Sequence, residues 1–482
     1  MNSSRRPKRL LRISKDEKND QLWIYLDVAS QLPPISMATR YSALSYCWGG
    51  DQAIKLETAS LERCENGLAI SELPKTLFDA VQLSWDLGLA YIWIDCLCIL
   101  QDDETDLARE IADLPAIFGN AYVTISASRA SDSREGFLHP VSHPPADSTG
   151  FSLPYACPDG TLGSIILNRQ IDDPIHDRAW TFQEFMLSPR ILDYTSLQLQ
   201  WICRERTWHH EMKDEHQYHL NESSSSLHSG DRQCETWMMI VWAYSKRTLR
   251  FAADKLPAIS GLAELWNRER GPFAPSYMAG IWSDHLPSGL LWTNQQRFST
   301  QYHAYRAPSW SWACLDASIT WSQTNLTTID PDFVIQSWST KLVHDNAPYG
   351  AVSYASLTIL GRLSRGILPA NIRRDSDDNP PDGINLEGAY VSWDYDNSAL
   401  HSLMETGVIF CLQIYMFEET KRCGPSGLLL VADNLKKYRR IGVFRFKPPS
   451  FTDEERNSKL DGAQRDAAQI FEDTPLETIT LV

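Results

Sequence analysis

The sequence predicts an α/β N-terminal domain with a parallel βαβαβ core, followed by an α+β, tryptophan-rich C-terminal region, and three observations carry that prediction. The first is the stretch from Ala90 to Leu100, apolar at every position except Asp95. It is too short to span a membrane and lacks the polar alternation of a strand with one wet face, so it reads as a strand buried on both sides. The second is the alternation around it of strand and helix patterns with short joins, the arrangement that builds right-handed parallel units. The third is a change of texture beyond about residue 235, where a helical stretch and a Trp-rich segment give way to separate β-type runs.

The N-terminal elements follow in order. Leu10, Leu11 and Ile13, then Leu22 to Leu26, flank a polar turn and read as a hairpin. Residues 41–50 form a strand ending in Gly49-Gly50, a pair that lets the backbone turn sharply or approach a ligand. Residues 51–70 carry weak signals and are expected to be a short hairpin or loop. Pro74 opens a helix with Leu77, Ala80, Val81, Ser84 and Leu87 on one face, and Gly88 closes it. After the 90–100 run, Asp102, Asp103 and Glu104 supply the acidic first turn of a second helix carrying Leu107, Ile111, Leu114 and Phe118. Pro115 is expected to kink that helix or end it early. Ala121 to Ser128 is the third strand.

Residues 129–165, rich in Ser, Pro, His and Asp, are expected to be a long loop of the kind that covers or lines a cleft. A helix follows over Asp177 to Leu187, ended by Ser188-Pro189, then strands at Ile191 to Tyr194 and Leu197 to Cys203. From Cys234 to Trp266 the pattern is helical, including a Tyr244-Ser245-Lys246-Arg247 turn. A Trp-rich, Pro-punctuated segment occupies 281–321, and β-type runs lie at Ala355–Gly361, Gly407–Phe417, Gly427–Ala432, Ile441–Phe446 and Glu477–Val482. The implied division is a hairpin at 1–37, the α/β domain at 38–200, a polar connector at 201–234, a helical and Trp-rich region at 235–330 and a β-rich region at 331–482.

Composition narrows the function classes. With 43% hydrophobic and 22% charged residues the chain is globular. A formal net charge of −16 argues against a general nucleic-acid binder, which needs a basic surface to neutralise phosphates. Ten cysteines are scattered without a C-x-x-C pair, and the N-terminus lacks a secretory apolar segment; both favour reduced thiols in a cytoplasmic or nuclear setting, and a cytoplasmic location is expected. No apolar run reaches the length of a membrane span. The basic cluster Arg5 to Arg9 resembles a nuclear address, but clusters this short arise by chance. Cys203 and the loosely ordered His209, His210, His216 and His219 match no zinc-ligand spacing, so no metal is expected.

The chemistry gathers at the carboxyl ends of the parallel strands, where open α/β sheets place their clefts. That edge brings together Trp48, Gly49, Asp95, Gln101 and Ser126 to Ser128. A carboxylate inside an apolar run must be paired, hydrogen-bonded or placed at a cleft, so Asp95 is either an ion-pair partner, for instance of Arg178, or a functional acid. On the later helix Trp180 and Glu184 stand four apart and share a face. No G-x-G-x-x-G, Walker A, G-x-S-x-G or H-E-x-x-H motif is present.

Three phrases, Ala43-Leu44-Ser45-Tyr46-Cys47-Trp48-Gly49, Trp93-Ile94-Asp95-Cys96-Leu97-Cys98-Ile99-Leu100-Gln101 and Arg178-Ala179-Trp180-Thr181-Phe182-Gln183-Glu184, resemble the three signature blocks of the fungal heterokaryon incompatibility (HET) domain, in the same order. The resemblance covers roughly residues 38 to 190 and extends to the Leu73-Pro74-Lys75-Thr76-Leu77 helix start. One position departs: Leu100 stands where the family's second block carries Asn. The resemblance implies a TIR-like fold and a role in fungal non-self recognition and programmed cell death. Some TIR domains cleave NAD with a helical glutamate, and the Trp180 to Glu184 spacing is similar to theirs. On that basis Glu184 is the expected catalytic residue. Trp48 and Trp180 would stack on a ring of the substrate, Arg178 would hold a phosphate, and Gly49, Asp95 and Gln101 would complete the site. NAD would be a substrate, with no bound cofactor. The competing expectation is a non-enzymatic module that self-associates or captures a partner protein through the same cleft, with these residues serving as core anchors and surface charges.

Overall fold

A computed structural model describes residues 7–17, 20–28, 40–140, 150–156, 161–168, 172–203, 207–209, 233–271, 274–295, 304–321, 328–367, 384–386, 389–395, 408–416, 424–433, 437–446 and 465–482. The chain divides into two compact units, Met1–His228 and Ser229–Val482. Among the described residues no helix is long and apolar enough to cross a membrane.

In the first unit the strands are β1 (Arg9–Asp16), β2 (Gln21–Val28), β3 (Tyr41–Ser45), β4 (Leu68–Ala69), β5 (Tyr91–Trp93), β6 (Val123–Ser126), β7 (Gly150–Ala156), β8 (Leu162–Asn168), β9 (Arg190–Tyr194), β10 (Leu199–Cys203) and β11 (Thr207–His209). The helices are α1 (Leu61–Asn66), α2 (Lys75–Asp86), α3 (Asp95–Cys98), α4 (Glu104–Asn120) and α5 (Ala179–Leu187). All strands except β7 and β8, which pair with each other, form one sheet in the order β11-β10-β9-β6-β3-β5-β1-β2-β4. The middle of that sheet, β9-β6-β3-β5, is parallel, as the alternating pattern requires. Both flanks are antiparallel. The hairpin at the start of the chain is part of the sheet, because β1 lies against β5 with Leu11 opposite Ile92.

Burial explains the central strands. Every residue of β3, β5 and β6 is buried, so helices must cover both faces of the sheet. Ser42 and Ser45, three apart, point to opposite faces. Ser42 Oγ lies 2.6 Å from Ser84 Oγ of α2, whereas Ser45 faces α5.

Several expectations are corrected. The 90–100 run is a strand only as far as Trp93; at Asp95 the chain enters a single helical turn, with the Cys98 amide bonded to the Ile94 carbonyl at 2.8 Å. An unbroken apolar run reports burial, which strand and helix share, and leaves the conformation open. Residues 51–70 contain α1 and a short 3-10 turn, and the loop expected over 129–165 ends in the β7–β8 ribbon. Pro115 sits inside α4 without ending it. The buried Leu114, Ile117 and Phe118 anchor the turns around it, so the loss of one amide bond is tolerated.

The acidic start of α4 locks β1 in place. Asp106 accepts bonds from the Arg9 guanidinium, from Lys8 Nζ at 2.7 Å and from the Leu100 amide at 3.1 Å. One turn later Glu110 is 1% exposed, and neither of its carboxylate oxygens has a hydrogen-bond partner among the described residues. Burial pushes its pKa up to about 7, helped by Asp106 and Asp113 and opposed by Arg9 and Arg109. The folded chain therefore keeps a proton that the unfolded chain releases above its ordinary pKa of 4.5, so stability falls as pH rises from there to about 7 and stays lower beyond. Glu110→Gln is expected to stabilise the protein by on the order of 2–3 kcal/mol at pH 8 and to change little at pH 4, as read from denaturant midpoints at the two pH values.

The second unit carries helices α6 (Gln233–Ser245) and α7 (Ser260–Arg270); α6 ends within the turn expected at Tyr244 to Arg247, and 3-10 turns lie between the two helices. Pro257 interrupts the amide ladder there. Two short ribbons follow, β12 (Tyr277–Met278) with β13 (Ile281–Trp282), and β14 (Trp292–Asn294) with β15 (Ile319–Trp321). The β-rich part is an eight-stranded sheet of β16 (Val334–Leu342), β17 (Val352–Ile367), β18 (Ile384–Asn385), β19 (Tyr390–Trp393), β20 (Ile409–Tyr415), β21 (Ser426–Ala432), β22 (Lys437–Arg445) and β23 (Leu476–Leu481). β16, β18, β19 and a helix at 465–473 lie outside the β-type runs expected from the sequence. β16 lies exposed on both faces, so it has no burial alternation to betray it.

Candidate functional site

The crossovers position the site. From β3 the chain passes through α2 to β5 on one side, then returns through α4 to β6 on the other side of β3. The reversal leaves a switch point at the carboxyl ends of β3 and β6, the place where open α/β sheets bind their ligands. Ser45 and Ser126 are register partners at that edge, and Ser126 is in turn the partner of Asp193 on β9.

Beyond Ser45 the chain runs through Tyr46, Cys47 and Trp48 to Gly49. The Trp48 indole N–H donates to Asp95 Oδ2 at 2.8 Å, and the Cys96 amide donates to Asp95 Oδ1 at 2.6 Å. Asp95 is thus hydrogen-bonded on both carboxylate oxygens, in the helical turn that follows β5. Burial raises its pKa, opposed by the Trp48 bond, the Arg178 charge and the Cys96 amide. The buried Tyr46 hydroxyl lies beside Asp95 and Cys96, and burial first, then those two groups, push its pKa well above the usual phenol range. Gly49 has φ +72°, and a Cβ there would collide with the Asp132 carboxyl, which Arg134 holds through two side-chain bonds of 2.8 and 2.7 Å. Those bonds to Arg134 keep Asp132 ionised, with a pKa of about 2. Gly49→Ala is therefore expected to lower stability by at least about 1 kcal/mol, the cost of a left-handed alanine alone, read as a drop in Tm.

The third block arrives on α5. Arg178, the residue before this helix, donates to the Tyr46 carbonyl. Burial raises the Cys47 thiol's pKa, while the Arg178 charge and hydrogen bond lower it and the charges of Glu184 and Asp177 raise it. Glu184 accepts the Ser45 hydroxyl on Oε2 at 2.5 Å. Trp180, half-buried, stands one turn earlier on the same helix.

The structure therefore draws together Trp48, Asp95, Arg178 and Glu184 around the carboxyl end of β3, with Gly49 at the turn. Gln101 does something different. Its side-chain amide donates to the carbonyls of Asp95 at 3.2 Å and Ile99 at 3.1 Å, and its backbone amide to Leu56 at 2.9 Å, so it braces the turn that presents Asp95. Ser126 and Ser128 form a buried chain to Asp193: their hydroxyls lie 2.8 Å apart, and Ser128 donates to the carboxylate. Burial pushes the Asp193 pKa up to about 6.

Ser45, Cys47 and Asp193 join this rim in the structure without being singled out as candidate site residues by the sequence. The signal was available for Ser45, since a hydroxyl in a fully buried strand must find a partner. Nothing in the sequence named Glu184 as that partner. His210, His216 and His219 lie outside the described residues.

Comparison with known proteins places this rim in context. Residues 41–184 match the family described as Heterokaryon incompatibility protein (HET), so the match begins at the first residue of β3 and ends at Glu184. No curated protein and no solved structure matches the chain.

Proposed function

This chain is a heterokaryon incompatibility domain-containing protein, a class whose domain implies involvement in heterokaryon incompatibility, and on that premise we propose that it acts in fungal non-self recognition and programmed cell-death signalling by cleaving NAD at its N-glycosidic bond. The observation that carries the enzymatic part is the convergence of Glu184, Arg178 and Trp48 at the switch-point edge of a parallel sheet. The TIR-like spacing of Trp180 and Glu184 on α5 supports the same reading.

The chemistry needs little. Nicotinamide leaves NAD as a neutral molecule, because the bonding pair of the breaking C–N bond quenches the pyridinium charge, and no general acid is required. Positive charge develops on the ribose ring, where the Glu184 carboxylate stabilises it. Water then adds at the anomeric carbon and loses its proton, giving ADP-ribose. Arg178 supplies a cation for the pyrophosphate, and the Trp48 and Trp180 rings supply stacking surfaces.

The test is release of nicotinamide from NAD by the purified full-length protein, clustered on a scaffold to raise its local concentration and followed by chromatography. Turnover above a protein-free control is the expected result. If the clustered protein is inert, the cleft serves instead as a non-enzymatic surface for self-association or partner capture.

A further inference from the structure

We propose that Ser45 is a positioning residue that, together with a second tether from β6, fixes the Glu184 carboxylate at the rim of the sheet. The inference rests on the NAD-cleaving reading for its kinetic consequences and on geometry for its structural ones. Ser45 is the last residue of β3, 4% exposed, and its hydroxyl reaches Glu184 Oε2 at 2.5 Å. The same glutamate is held through its backbone. Ser188 Oγ donates to the Glu184 carbonyl at 2.6 Å and lies 2.6 Å from Thr124 Oγ1 of β6.

Two adjacent parallel strands thus grip one residue of α5 at two points. Register accounts for the arrangement. Ser45 is the partner of Ser126, and Thr124, two residues before Ser126, projects to the same face of the sheet. Both tethers therefore rise from one face toward one helix. A glutamate side chain has three rotatable bonds, and a hydroxyl bonded to one carboxylate oxygen removes most of that freedom before substrate arrives. A hydrogen bond to the ionised form also favours the charge that the developing cation needs. Among the described residues, the charges that act on Cys47, two residues beyond Ser45, are those of Arg178, Glu184 and Asp177.

Comparing Ser45→Ala and Ser45→Thr with wild type separates positioning from mere packing. Ser45→Ala is expected to lower kcat for nicotinamide release about ten- to hundredfold with KM for NAD changed less than about twofold, and to move the acid limb of the pH profile up by about one unit. Ser45→Thr, which restores the hydroxyl, recovers most of kcat. A readout independent of turnover decides the geometry: the Glu184 carboxyl carbon, observed by NMR in selectively labelled full-length protein and assigned with Glu184→Gln, titrates about one unit higher in Ser45→Ala. An inert wild type in which that titration still shifts would defeat the NAD reading and leave the positioning role standing. An unshifted titration, or a kcat loss that threonine does not restore, would overturn the role of Ser45 even if wild type is active.

Discussion

Glu184→Gln is expected to leave the fold intact and to reduce nicotinamide release from NAD at least about a hundredfold. The substitution keeps the size of the side chain and an oxygen for the Ser45 hydroxyl, so the 2.5 Å contact survives in kind. What disappears is the negative charge. In a partly enclosed site a carboxylate facing a developing oxocarbenium ion lowers the barrier by several kcal/mol, and a neutral amide retains only a dipole. KM for NAD should move far less than kcat, because in the proposed mechanism Arg178 and the tryptophan rings bind parts of the substrate other than the ribose where charge develops. Thermal unfolding of the variant within about 2 °C of wild type, combined with the loss of turnover, confirms the assignment. Undiminished turnover removes Glu184 from the chemistry.

Arg440→Ala is expected to destabilise the second unit by about 3–5 kcal/mol. Arg440, on β22, is completely buried, and its guanidinium lies 3.3 Å from the centre of the Trp292 ring. Its Nε and one terminal nitrogen each bond an Asp394 oxygen at 3.0 Å, and it also donates to the carbonyls of Leu290 and Trp292, the latter at 2.5 Å. Asp394 is 1% exposed, and burial raises its pKa while Arg440 lowers it. Removing the arginine would take its guanidinium bonds away from a buried carboxylate and two carbonyls. Chemical unfolding followed by tryptophan emission measures the effect. Asp394→Asn should cost less, since the arginine keeps its two carbonyl acceptors. Equal losses for the two variants would contradict this account.

The fold and the site were legible to different depths. The helix from Lys75 to Asp86 was readable because its apolar positions recur at helical spacing between a proline and a glycine. The end of β5 was not, since Cys96, Leu97 and Cys98 are as apolar as the strand before them. Trp48, Asp95 and Glu184 were each visible as unusual residues in their local settings. Their partners were not, because the indole bond to Asp95 spans 47 residues and the Ser45 bond to Glu184 spans 139. Gln101 is the case where the local setting and the folded contacts differ. A polar residue at a strand exit reads as a ligand contact, whereas folding turned its amide onto the carbonyls of its own turn.

By itself the sequence determined the alternation of strand and helix in the first unit, because burial on two faces or on one writes a distinct periodicity into nearby residues. It also determined which residues there were chemically out of place. Only the tertiary structure decided that β3 sits between β5 and β6, that β1 closes the parallel core from an antiparallel side, and that Ser45 meets Glu184. Strand order and side-chain partnership arise from contacts between distant segments, which local periodicity does not encode.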